Sequence, residues 1–219
     1  VFINKLEIIK MTSGFTKYMT ENFPKFSISK PVFRLTNSLR FELGPEDIST
    51  SENKYFDKAI ERATEITSFA LKNAKTVYVI YQECTDGNEI EPNSILIDVF
   101  GSVNGSSVIL PYTEDDGDKL EWRRLIKKMD SNDPLLLKLI SSIIHVDFPN
   151  RSPRIEGELY FILDESNTII NIYDDRGMDV GAKSISDLKP LYERFNDWIL
   201  EYDRKEIDEK FRNTISNKS

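Results

Sequence analysis

Two runs rich in β-branched and aromatic residues, Leu159 to Leu163 and Thr168 to Tyr173, flank the four-residue turn Asp164 to Asn167, and no other stretch limits the fold as tightly. Runs of this length and composition suit strands, and so short a connection makes them antiparallel. A second turn leads to Met178–Val180, so the last third of the chain is expected to hold a small antiparallel unit.

Similar patterns occur upstream. Leu39, Phe41 and Leu43 alternate with Arg40 and Glu42 as far as Gly44, the period of a half-buried strand. Thr76 to Gln82 and Ile95 to Val103 are rich in strand formers, and Asn104-Gly105 is a hairpin-turn pair before Val108 to Tyr112. An antiparallel meander is the expectation there.

Helical spacing links Phe15, Tyr18 and Met19 before Pro24, and Phe56, Ala59, Ile60, Ala63, Ile66 and Ala70 behind a cap at Ser51 or Asn53. Trp122, Leu125, Ile126 and Met129 fit one helix face, and Leu136, Leu139, Ile140, Ile143 and Ile144 fit another, started by Asp133 and Pro134. Ser186 is the expected cap of a long last helix striped by Leu188, Leu191, Tyr192, Phe195, Trp198, Ile199 and Tyr202, with fraying after Phe211. The class is α+β: antiparallel sheet or sheets packed against helices, with a long C-terminal helix.

With 219 residues the chain suits one domain, read as 11–215, with a seam near the acidic loop 113–118 and a disordered tail at 216–219. Residues 1–10 fit no element and have no small-residue cleavage site, so they are expected to be a non-native leader, with the native start at Met11.

Residue types exclude several chemistries. His145 is the sole histidine and Cys84 the sole cysteine, which removes zinc clusters and intrachain disulfides and suits a reducing, cytoplasmic setting. His145, in IIHVDF, has no nucleophile turn beside it and reads as a structural side chain. Glycine-rich phosphate loops are missing, so no cofactor is expected. The most apolar stretch, Leu135 to Ile144, is interrupted by Lys138, Ser141 and Ser142, so no membrane span is expected. A net charge of -8 disfavours nucleic acid and anionic membranes and complements a basic protein. Arg123, Arg124, Lys127 and Lys128 then read as the solvated face of the Trp122 helix, balanced by Glu114, Asp115, Asp116 and Asp118.

The most distinctive string is Tyr173-Asp174-Asp175-Arg176-Gly177-Met178-Asp179-Val180. Clustered aspartates can bind a hard cation or divide acid and base roles. The same string also describes a turn: aspartate accepting backbone N–H bonds, Arg176 bridging to an acidic neighbour, Gly177 supplying positive φ. The expected candidate surface is therefore Tyr173, Asp174, Asp175, Arg176, Gly177 and Asp179, with neither a catalytic set nor a metal.

This string, Arg40-Phe41-Glu42-Leu43-Gly44, Asp147-Phe148-Pro149, Gly157 to Ile162, and the run from Leu191-Tyr192 through Asn196 to Arg204, then Ile207-Asp208 and Phe211, together resemble the bacterial domain of unknown function (DUF) 3885 family. The resemblance runs from Met11 to Phe211; Glu201 departs from a common aspartate, and 84–120 matches poorly. It implies no particular activity. The expected function is a non-enzymatic protein-binding module, such as a toxin-immunity protein, with a carboxylate-only, metal-assisted hydrolase as the alternative.

Overall fold

The computed structural model describes residues 5–28, 30–85, 87–113 and 119–216. In chain order these form α1 (Lys5–Asn22), β1 (Ser38–Glu42), α2 (Asn53–Leu71), β2 (Thr76–Cys84), α3 (Ser94–Phe100), α4 (Val103–Ser106) and β3 (Val108–Thr113). Next come β4 (Lys119–Asp130), α5 (Leu135–Ile144), β5 (Glu158–Leu163), β6 (Thr168–Ile172), β7 (Gly177–Ala182), α6 (Ile185–Arg194) and α7 (Glu201–Ser216). The fold is α+β, as the patterning implies.

The strands join in one antiparallel sheet of seven, ordered β1-β7-β6-β5-β2-β4-β3. The two meanders expected separately are thus a single sheet, fused where β2 pairs with β5 and Ile80 lies opposite Tyr160. One face presents Phe41, Val79, Tyr81, Leu125, Phe161, Ile170 and Val180 to the core shared with α2, α5 and α6. The other presents Ile80, Ile162 and Ile169 to Phe15, Met19 and Phe23 of α1 and its exit, and to Ile28 and Val32 of the strap that follows. Burial on both faces explains why β5, β6 and β7 are so apolar.

Residues 119–130 form a strand where helical spacing predicts a helix. Trp122, Leu125, Ile126 and Met129 keep helical spacing, but as a strand they divide between two faces, Leu125 and Met129 on one and Trp122 and Ile126 on the other, and pairing decides: β4 covers the full length of β2, with Val77 opposite Met129 and Tyr81 opposite Leu125. The basic residues therefore alternate between sheet faces and make no solvated helical strip.

The segment 95–103, expected as a strand, forms α3 and α4. The Asn93 side chain caps α3 by accepting the Leu96 N–H at 2.9 Å, and Gly101, at φ 75°, ends it. Asn104 makes no hairpin turn; its amide exchanges two 3.0 Å hydrogen bonds with the backbone of Ile90.

The expected long last helix is divided. Ser184, not Ser186, caps α6. A single 3-10 turn, Asn196–Trp198, follows, and the extended residues Ile199 and Leu200 lie along the outer edge of β1, where Leu200 N–H donates to Arg40 O at 2.9 Å. Covering an exposed sheet edge is what interrupts the helix. Phe195 and Ile199 are buried as the stripe implies, Trp198 is half-buried, and Tyr202 is 90% exposed.

At the start, α1 runs through Met11 from Lys5, so helical register does not break where the leader was expected to end. At the far end α7 continues past Phe211 to Ser216. The seam near 113–118 falls largely outside the described residues, as does 217–219 of the expected tail. The cap expected at Ser51 or Asn53 is not formed: Glu52 holds the position before α2 and makes no side-chain cap bond. Asp133, by contrast, accepts the Leu135 N–H at 2.9 Å at the start of α5. Among the described residues no helix is long and apolar enough to cross a membrane.

Candidate functional site

Strand parity places polar side chains where a sheet centre normally holds aliphatic ones. On the strap-facing side, Tyr160 lies opposite Asn171, Asn171 opposite Asp179, and Asp179 opposite Arg40, a continuous cross-strand row over β5, β6, β7 and β1. A second row joins Arg124, Gln82 and Glu158 across β4, β2 and β5.

The rows are hydrogen-bonded to each other and to the strap. Arg124 Nε donates to Gln82 Oε1 at 2.9 Å, and Gln82 Nε2 donates to Glu158 Oε2 at 2.7 Å and to Ile28 O at 3.2 Å. The Tyr160 hydroxyl lies 2.9 Å from both Ile28 O and Glu158 Oε2. Arg40 is the hub at the other end: Nε donates to Asp179 Oδ1 at 3.2 Å, Nη1 to Asp203 Oδ2 of α7 at 3.1 Å, and its guanidinium stacks 3.9 Å over the Phe33 ring. Phe33 N–H closes the set by donating to Asp179 Oδ2 at 3.1 Å.

Burial dominates the electrostatics. It pushes Asp179 up to about 6, against the opposing pull of Arg40 and the Phe33 N–H. Burial likewise raises the phenols of Tyr160 and Tyr173 and lowers the Arg124 guanidinium. A cavity of about 210 Å³ opens beside this hub, between the strap and Asn171, Tyr173 and Asp179.

The string from Tyr173 to Val180 is the β6–β7 turn, and the sheet divides its carboxylates. Asp179 points to the strap, whereas Asp175 reaches α2 on the opposite side, where Oδ2 accepts the Tyr55 hydroxyl at 2.7 Å. Asp174 takes the Arg176 N–H at 2.8 Å on Oδ1, and the Arg176 guanidinium, by both Nε and Nη2, on Oδ2. The turn and the Arg176 bridge form as their residue types imply.

Two expectations about this string need correction. The carboxylates are not an exposed surface: Asp174, Asp175 and Asp179 are all buried, and only Arg176 is exposed. Gly177 is an ordinary strand residue, absent from the positive-φ glycines. Its need for glycine comes from crowding, because a Cβ there would overlap the Tyr173 hydroxyl and lie 2.9 Å from Phe41 O.

Asp147 brings a third carboxylate to this side. Oxygens of Asp147, Asp174 and Asp175 lie within 4.8 Å of one another, the spacing of a cation site, and Arg176 Nη2 stands 3.6 Å from Asp147 Oδ2. Burial raises the Asp175 carboxyl, countered by the Tyr55 hydroxyl. His145 sits nearby as a structural side chain, buried against Phe56 with Nδ1 2.8 Å from Pro153 O.

Residue patterning flags the turn but not the hub. Gln82 and Asn171 each stand inside an apolar strand run and Arg40 between Leu39 and Phe41, and that departure is the available signal; Arg124, in the charged strand β4, and Glu158, at the start of β5, give none. Only the strand order shows that they align.

The family described as domain of unknown function (DUF3885) matches residues 15–203, a span that includes both rows and the turn. The uncharacterized protein YnaE of Bacillus subtilis (strain 168) is 28% identical over 98 residues, 42% of this chain and 46% of that protein, so the match spans about half the length of the relative. No solved structure matches the chain.

Proposed function

We propose that this chain, which belongs to the DUF3885 family, is a non-enzymatic module of the cytoplasm that binds a basic protein, in the manner of an immunity protein that blocks a toxin. The observation that carries this reading is the state of the carboxylates in the 173–180 string: Asp174, Asp175 and Asp179 are buried and already accept hydrogen bonds from Arg176, Tyr55, Arg40 and the Phe33 N–H. Groups engaged in this way brace the fold. Docking then falls to the exposed surface, and the chain's net charge of -8 complements a positive partner.

The first turn of α7 supplies an anchor. Tyr202, 90% exposed, stands beside Glu201, with Glu206 one helical turn further on; both carboxylates are exposed and pair with Arg204 and Lys210 of the same helix, whereas Asp203 is held by Arg40. An aromatic ring with acidic neighbours suits a partner presenting arginine or lysine beside an apolar pocket. The test is titration of the purified chain against whichever basic proteins its neighbouring genes encode, with an unrelated protein of equal positive charge as control. Specific binding that weakens with salt, and that loses about 2 kcal/mol in Tyr202→Ala, is expected. Equal affinity for the control, or indifference to Tyr202→Ala, defeats the reading.

The convergence of Asp147, Asp174 and Asp175 favours a second reading, a metal-assisted hydrolase. Calorimetry with magnesium, manganese and calcium, followed by phosphomonoester and phosphodiester assays, separates the two. Metal-dependent turnover abolished in Asp174→Asn would establish the second and displace the first.

A further inference from the structure

We draw no further inference here: the strongest candidate, the largely apolar cavity of about 410 Å³ between α2 and α5 that Thr67, Leu71, Leu136, Leu137 and Ile140 line, carries nothing because nothing in the structure shows what covers it, and its one buried hydroxyl without a hydrogen-bond partner among the described residues, that of Thr67, is closed to solvent and so out of reach of a ligand.

Discussion

Arg40 and Asp179 face each other across the β1–β7 ladder, Nε 3.2 Å from Oδ1, with the aspartate side chain 1% exposed. The pair joins three layers, because Asp179 also holds the strap through the Phe33 N–H and Arg40 also holds α7 through Asp203. Asp179→Leu removes a buried charge partner and leaves the Phe33 N–H without its acceptor. Denaturant unfolding should show a loss of about 3 kcal/mol, against a smaller loss of about 1 to 2 kcal/mol for Asp179→Asn, which keeps one oxygen for the two donors. Equal losses for the two would show that shape, not charge pairing, sets the cost.

The same group gives a pH dependence with a definite sign. Burial lifts Asp179 to about 6 in the folded chain, while an unfolded aspartate titrates near about 3.9. Between those values the folded state holds more protons, so this group's contribution to stability falls as pH rises from about 4 to about 6 and is level above that. Asp175, also raised by burial, acts in the same direction. Because Asp179→Asn cannot ionise, the gap between wild type and variant should shift in favour of the variant as pH rises through this window. A gap that is constant with pH in paired unfolding curves would count against it.

Gly177 yields a prediction that rests on packing. A Cβ there meets the Tyr173 hydroxyl and the Phe41 carbonyl oxygen, so Gly177→Ala should destabilise by about 1 to 3 kcal/mol. One of those obstacles is a side chain. Trimming it in Tyr173→Ala should therefore make the double variant less unstable than the sum of the two single losses, and thermal melts of all four proteins measure that coupling. Strict additivity would mean that the Phe41 backbone contact alone sets the cost.

Much of this fold is legible in residue patterning because its core strands and helices obey one period each. β2, β5 and β6 read as strands and α2 and α5 as helices, and the structure places all of them there. Legibility fails where distant pairing decides. The apolar residues of 122–129 keep helical spacing, and only pairing with β2 makes the segment a strand with apolar side chains on both faces. Likewise Phe195, Trp198, Ile199 and Tyr202 share a helical stripe, yet Ile199 is extended because it covers the β1 edge, which leaves Tyr202 in solvent. The turn at 174–176 is visible from aspartate and arginine chemistry. The hub is not, since Arg40, Asp179, Asn171 and Tyr160 become neighbours only through the β1-β7-β6-β5 order.

Tyr55 and Asp175 join α2 to the β6–β7 turn from the opposite side of the sheet, through a 2.7 Å hydrogen bond in which the phenol donates. Both residues are buried, and Tyr55 also packs edge-on against Phe56 with ring centroids 5.1 Å apart. Tyr55→Phe keeps the packing and removes only the donor, which leaves the Asp175 oxygen without its partner, at a cost of about 1 to 3 kcal/mol. Asp175→Asn retains an oxygen for the phenol and relieves the desolvation of a charge, so its cost should be smaller. The double variant distinguishes a true pair from two independent sites: once the phenol is gone, Asp175→Asn removes an unpartnered buried carboxylate and should recover part of the loss. Chemical unfolding of the four proteins measures this. If Asp175→Asn worsens Tyr55→Phe by its full single-site amount, the carboxylate is held by groups other than Tyr55, and the bond does not tie α2 to the turn.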